Sequence, residues 1–317
     1  MTRWMQRAIE RQKHARAPGT IKNTMYTVKE YILFTYFHQF NPLCPQTLQL
    51  CAFIEMLLDR DISPATVQNK LSQVRTWIRS CQGSLQLIHE ETLSKYMDSI
   101  IRTSTHVPKP KEPLPIGILK QVLSLIPDTP IGWVSRAALL CLIYGGFRQT
   151  EILPPSKGKF NRWRHLTRSD VIVTESNIQL TIKYGKNLVK PEQRRIHVFK
   201  RSTNPQMCVV KAVNMVLALT PTQDINQAMF VFPHDGNPVP VTHLRKVLSD
   251  NLKTLKQDTS RYTLHSLRKT LVSCSYHWGI PVQEIKDFGA WNSQAYQAYL
   301  KTSADININN AMTSMLS

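Results

Sequence analysis

At 317 residues the chain has room for two domains with ordinary cores. Lysine and arginine total 40 against 21 acidic residues, a formal net charge of +19, which points to a polyanionic partner, nucleic acid ahead of membrane. No apolar run is long enough for a membrane span and the first residues lack the hydrophobic stretch of a secretory signal, so a cytosolic or nuclear protein is expected.

The chain opens with Arg3, Arg7, Arg11, Lys13 and Arg16 against Glu10. Arg3, Arg7 and Arg11 would share one helical face; a solvated, frayed terminus fits equally well. Pro18-Gly19-Thr20 breaks the chain, with Thr20 as a possible N-cap, and Ile21, Met25, Val28 and Ile32 follow at helical spacing. A second helix is expected over Leu48 to Leu58. Ser63-Pro64 is a helix start, a capping residue followed by proline at the first position. In that helix Val67, Leu71, Val74 and Ile78 face a core, while Lys70, Arg75 and Arg79 project elsewhere. A fourth helix, Glu91 to Ile101, completes a small bundle.

The prolines of Thr105–Pro115 forbid helix and favour an extended, semi-rigid linker, so the domain boundary is placed there. The expected domains are 1–104, helical, and 116–317, mixed, joined by the linker 105–115. Beyond it the pattern predicts helices near Ile116–Ile126 and Ser135–Tyr144, strands near Val171–Val173, Ile178–Lys183 and Arg195–Phe199, and helices from Pro205 onward. The cysteines, Cys44, Cys51, Cys81, Cys141, Cys208 and Cys274, are scattered without a C-x-x-C pair. Reduced, buried thiols are expected rather than a disulfide framework or a zinc site.

The densest chemistry lies between His265 and Tyr299. T-L-H-S-L-R-K-T puts His265 and Arg268 three apart, hence on one face of a helix. Trp291 follows in G-A-W-N-S, then Tyr296 and Tyr299, also three apart. An imidazole, a guanidinium, an indole and a phenol can together cleave a phosphodiester without a metal. The phenol attacks, the cation holds the non-bridging oxygens, and N–H donors stabilise the developing charge. A second arginine is available at Arg148, just past the Gly-Gly break in L-I-Y-G-G-F-R-Q-T-E, with Glu151 three residues on to orient it. I-Q-L-T-I-K-Y-G-K-N-L and R-R-I-H-V-F read as a β-hairpin. Lys186 sits near its turn, where a general acid could protonate the leaving oxygen, and Lys183 and Lys190 lie close by.

In chain order the set is Arg148, Lys186, His265, Arg268, Trp291 and Tyr299. It resembles the catalytic set of the tyrosine recombinases, the phage-integrase-like family. The W-x-S spacing, with a tyrosine eight residues beyond the tryptophan, looks most like the recombinases of DIRS-like, Ngaro-like and Crypton-like mobile elements, and favours Tyr299 over Tyr296 as nucleophile. The family's S-K-T-type turn favours Lys186. Trp291 stands where many relatives carry histidine, and Asn292 or Ser293 would cap the nucleophile's helix.

The resemblance implies a mainly α fold with a small β-sheet: an N-terminal helical core-binding (SAM-like) bundle and a mixed α+β catalytic domain that together clamp duplex DNA. It implies strand cleavage through a 3′-phosphotyrosyl bond without cofactor or metal, and site-specific recombination or integration for a mobile element such as a retrotransposon. It further implies a homotetramer on double-stranded DNA, coupled by the C-terminal tail, a contact open to Ile306, Ile308, Met312 and Met315; a disordered tail fits those residues nearly as well. A eukaryotic element would place the protein in the nucleus, a bacterial one in the cytoplasm or nucleoid. Lys70, Arg75, Arg79 and the basic, aromatic-interleaved stretch with Lys157, Lys159, Arg162 and Arg164 are the expected backbone contacts, a flexible surface insertion fitting that stretch equally well. Two alternatives share parts of this set: a type IB topoisomerase, and a domesticated DNA-binding protein that has lost catalysis.

Overall fold

The computed structural model describes residues 18–106, 111–185, 194–289 and 291. It is mainly helical with one small antiparallel sheet, as expected, and divides into two compact units, Met1–Pro108 and Lys109–Ser317. Among the described residues no helix is long and apolar enough to cross a membrane.

The first unit contains α1 (Pro18–Phe37), α2 (Thr47–Leu58), α3 (Pro64–Ser80) and α4 (Glu90–Thr103). The Ser63 hydroxyl accepts from the Thr66 amide at the start of α3, and the stripe Val67, Leu71, Val74 and Ile78 is buried, as its spacing requires. In α1 the stripe at Ile21, Met25, Val28 and Ile32 is not the buried one. Val28, Tyr31 and Phe34, flanked by Thr27 and Thr35, face the core, and Met25 and Ile32 are exposed. The aromatic pair marks this face: Tyr31 and Phe34 pack against Phe53 of α2 with ring centroids 5.2 and 5.4 Å apart.

The second unit is built around α6 (Pro130–Tyr144), which is buried from Val134 to Ile143 on every side. Around it lie α5 (Ile116–Leu125), the short α7 (Gln149–Ile152), α8 (Val209–Leu219), α9 (Val241–Thr254), α10 (Leu264–His277) and α11 (Val282–Gly289). The sheet runs β1 (Val171–Val173), β2 (Asn177–Ile182), β3 (Arg195–Lys200) in that order, antiparallel throughout. On β2 the alternation buries Ile178, Leu180 and Ile182. Opposite them in register β3 presents Phe199, His197 and Arg195, leaving Ile196 and Val198 outside.

The chain enters this unit as an extended segment fastened to the start of α10. The Glu112 amide donates to the Arg261 carbonyl (2.9 Å), the Lys269 ammonium to the Lys111 carbonyl, and the Thr270 hydroxyl to the Leu114 carbonyl (2.8 Å). All cysteines are free among the described residues, and Cys51, Cys141, Cys208 and Cys274 are buried. Cys81 departs from the expectation: it caps the end of α3 and is exposed, and Cys44 is half-buried.

The aromatic packing of α1 makes a stability prediction. Phe53→Ala should destabilise the helical unit by about 3–5 kcal/mol, whereas Met25→Ser should stay within about 0.5 kcal/mol. Chemical denaturation of the two variants checks this, and equal losses would contradict the assignment of the buried face.

Candidate functional site

The C-terminus of α6 sets the first part of the site. Gly146 takes a left-handed conformation (φ +54°) that turns the chain out of the helix, and Arg148 becomes the N-cap of α7. Glu151 folds back on it. The Arg148 amide donates to Glu151 Oε2 and Arg148 Nη1 to Oε1, both at 2.9 Å, so the carboxylate orients the backbone and the side chain of one arginine. Glu151 is only 2% exposed and takes a third bond, from Arg195 Nη2 of β3 to Oε2 at 3.0 Å.

α10 supplies the second part. Thr263 caps it, accepting from the His265 amide at 3.2 Å. One turn on, Arg268 is 1% exposed. Its guanidinium donates to the carbonyls of Gly146 and Gly289, and it lies 3.9 Å from the centroid of the Trp291 ring. Trp291 in turn packs with Val272 and Ile285, and its ring occupies the space that a Cβ on Gly289 would take. His265 stays exposed at the surface. Packing on its protein side, then the charges of Arg268, Lys269 and Arg148, lower its pKa, so at neutral pH it is an uncharged donor or acceptor.

Arg148, His265, Arg268 and Trp291 therefore belong to one constellation. Lys186, Tyr299 and the rival Tyr296 lie outside the described residues, as do Lys190, Asn292, Ser293, the arginines of the N-terminal segment and the C-terminal tail. Lys183 is committed elsewhere. Its ammonium pairs with the buried Asp170 (2.6 Å) and donates to the Arg162 carbonyl (2.6 Å), which fastens the basic loop to the end of β2.

Of the expected DNA contacts, Arg79, Lys157, Lys159 and Arg162 are exposed, and Arg164 is half-buried against the Tyr184 ring, 4.8 Å from its centroid. Arg162 lies 4.8 Å from the centroid of the exposed Trp163 ring. Arg75 pairs with Glu90. Lys70 pairs with Glu30, which Arg60 also holds, so the three groups together keep one net positive charge.

Two residues of β3 escaped the sequence reading. Arg195 bonds Glu151 and also donates from Nη1 to the Phe288 carbonyl at 3.2 Å. His197 is buried among Phe147, Phe199 and Phe288, with ring centroids 4.7, 6.3 and 4.6 Å away. Ile196 and Val198 are the exposed residues of this strand, so its apolar alternation pointed to the opposite face and signalled neither.

No family model matches the sequence, and no curated protein does. Solved structures do match. The XerH site-specific recombinase bound to palindromic difH substrate gives a TM-score of 0.59 at 16% identity, over 84% of this chain and 72% of that one. A lambda integrase dimer bound to a COC′ core site gives 0.58 at 13% identity, over 95% of each chain. The Tn1549 transposon integrase in complex with transposon right end DNA gives 0.51 at 14% identity, over 85% and 84%. The chain thus has the fold of the tyrosine recombinases.

Burial, and then the charges of Arg195 and Arg268, push the His197 pKa down to about 3. The folded state therefore binds fewer protons than the unfolded one, and the stability His197 permits is complete above about pH 6.5 and lost as pH falls toward 3. His197→Phe should flatten the acid side of the unfolding profile without removing it, since His165 is lowered to about 4 as well. Melting curves between about pH 8 and 4 measure this; an unchanged profile would show that His197 is not buried as a neutral ring.

Proposed function

We propose that the chain is a site-specific DNA recombinase that cleaves and rejoins strands through a 3′-phosphotyrosyl intermediate, without metal or cofactor. The observation that carries this reading is the bond from Arg268 to the carbonyl of Gly146, two residues before Arg148, beside a histidine whose proton affinity both arginines lower. Groups more than a hundred residues apart in sequence converge on one spot rich in fixed positive charge. That is the environment a pentacoordinate phosphate requires.

In this mechanism Arg148 and Arg268 hold the non-bridging oxygens of the scissile phosphate, arginine being permanently charged and able to donate paired hydrogen bonds. Their field also lowers the cost of ionising the attacking phenol, assigned to Tyr299. Neutral His265 takes the phenol proton or donates to a phosphate oxygen. Lys186 protonates the leaving 5′-oxygen, and the attack reversed by a new 5′-hydroxyl rejoins the strand. Trp291 backs Arg268 and fixes its plane. Because Arg268 is enclosed, it reaches phosphate by turning a donor away from the Gly146 or Gly289 carbonyl when DNA enters. The partner is double-stranded DNA, gripped by the exposed cations of the loop from Lys157 to Arg164 and by Arg79, with four protomers assembling on it. A mobile element of the DIRS-like, Ngaro-like or Crypton-like type, and a nuclear location if its host is a eukaryote, are the setting this reading assigns.

The test uses a pool of nicked duplexes with randomised cores, from which covalent protein–DNA adducts are recovered after denaturation. The intact chain should form adducts in EDTA, Tyr299→Phe should form none, and Tyr296→Phe should retain them. Arg148→Ala and Arg268→Ala should slow adduct formation by at least about 100-fold. Adducts persisting in Tyr299→Phe, or abolished by EDTA, would overturn the mechanism.

Binding itself should be steeply salt-dependent. If about 6–10 phosphates are neutralised, affinity should drop by about 10³–10⁵ between roughly 50 and 200 mM salt. A shallow slope in a fluorescence-anisotropy titration would count against the DNA reading.

A further inference from the structure

β3 places its first residue, Arg195, opposite Ile182 at the last pair of the β2–β3 ladder, on the inward face beside His197 and Phe199. A guanidinium at that position is costly to bury, and its side chain is only 11% exposed. Two acceptors meet it there: Glu151 Oε2 at 3.0 Å and the Phe288 carbonyl at 3.2 Å. The first is the carboxylate that orients Arg148. The second is one of the last carbonyls of α11, which lack partners within the helix and carry the negative end of its dipole. The neighbouring carbonyl, Gly289, is held by Arg268.

Resting on the recombinase reading above, we infer that Arg195 is a positioning residue of the cleavage site, acting on Arg148 through Glu151 and on the segment after α11 through Phe288. Two effects follow from the geometry. By drawing on Glu151 Oε2, Arg195 takes up part of the single negative charge that would otherwise act on Arg148 alone, so more of the Arg148 field remains for a phosphate. By gripping the end of α11, it fixes the point from which the chain departs toward Trp291 and Tyr299. Near-attack geometry is sensitive to displacements of an ångström, so a slack anchor at that point is felt at the reacting atoms.

Arg195 also stands at the foot of the β2–β3 connection that carries Lys186, so support of a general acid is the competing explanation. A duplex selected from the randomised pool separates the two, made with the scissile 5′-oxygen replaced by sulfur, a leaving group that needs no proton. Arg195→Gln should lower the adduct rate at saturating DNA by about 30-fold or more, while the half-saturating DNA concentration stays within about threefold. Arg195→Lys should recover part of the rate, because an ammonium reaches one of the two acceptors. The sulfur substrate should rescue Lys186→Ala but neither Arg195 variant.

Rescue of Arg195→Gln by sulfur, a loss confined to half-saturation, or a rate within about threefold of the parent would each overturn the inference. If Arg195→Gln does not fold, Arg195→Lys carries the same comparison, with sulfur rescue again the contrary result. Should the parent chain itself form no adduct with any duplex, the recombinase reading falls and this inference with it. An active parent with an indifferent Arg195 sinks the inference alone.

Discussion

The enclosed guanidinium of Arg268 is the tie on which the second unit depends. It joins the carbonyl of Gly146, where the chain leaves α6, to the carbonyl of Gly289, where α11 ends, and stacks on the ring of Trp291. A buried cation is tolerated only when its donors are matched, and here the matching groups are backbone carbonyls that their own helices leave unsatisfied. Each side therefore resolves the other's cost. A related tie is made at the preceding carbonyl, where Arg195 answers both Glu151 and Phe288. Together the two arginines fasten the end of α11 to the turn that bears Arg148.

This arrangement sorts the cations of the unit by task. Lys183, which its neighbourhood in sequence made a rival for the general acid, is absorbed by Asp170 and the Arg162 carbonyl and holds the basic loop in place. Lys269, next to Arg268, points the other way and bonds the Lys111 carbonyl, so the incoming extended segment is pinned along the back of the helix that bears His265. Exposed cations stand on the loop at Lys157, Lys159 and Arg162, and also at Lys200, Lys211, Lys246 and Lys253. The excess of +19 is thus distributed, with part of it internal scaffolding and part available to a polyanion.

Much of the helical framework was legible in the residues. Ser63-Pro64 marked the start of α3 and its apolar spacing gave the buried face, because capping and the 3.6-residue period are local properties. The pairing of Arg148 with Glu151 was equally visible, being three residues long. α1 was harder: apolar residues surround it, and only its packing against Phe53 chooses the face. β3 inverts the usual pattern, with Ile196 and Val198 outside and Arg195 and His197 within. Hydrophobicity alone turns that strand the wrong way, so the role of Arg195 could not be read before its partners Glu151 and Phe288, far off in sequence, were in place.

The central claim is that Arg148, His265 and Arg268 surround a single phosphorus. A structure of the protein on a nicked duplex with orthovanadate bridging the nick, a mimic of the five-coordinate species, examines it directly. The account predicts both guanidinium groups and the His265 ring within about 3 Å of vanadate oxygens, with the Tyr299 hydroxyl at an apical position. Vanadate bound on the DNA while Arg268 stays sealed beneath Gly146 and Gly289, out of reach of its oxygens, would contradict it.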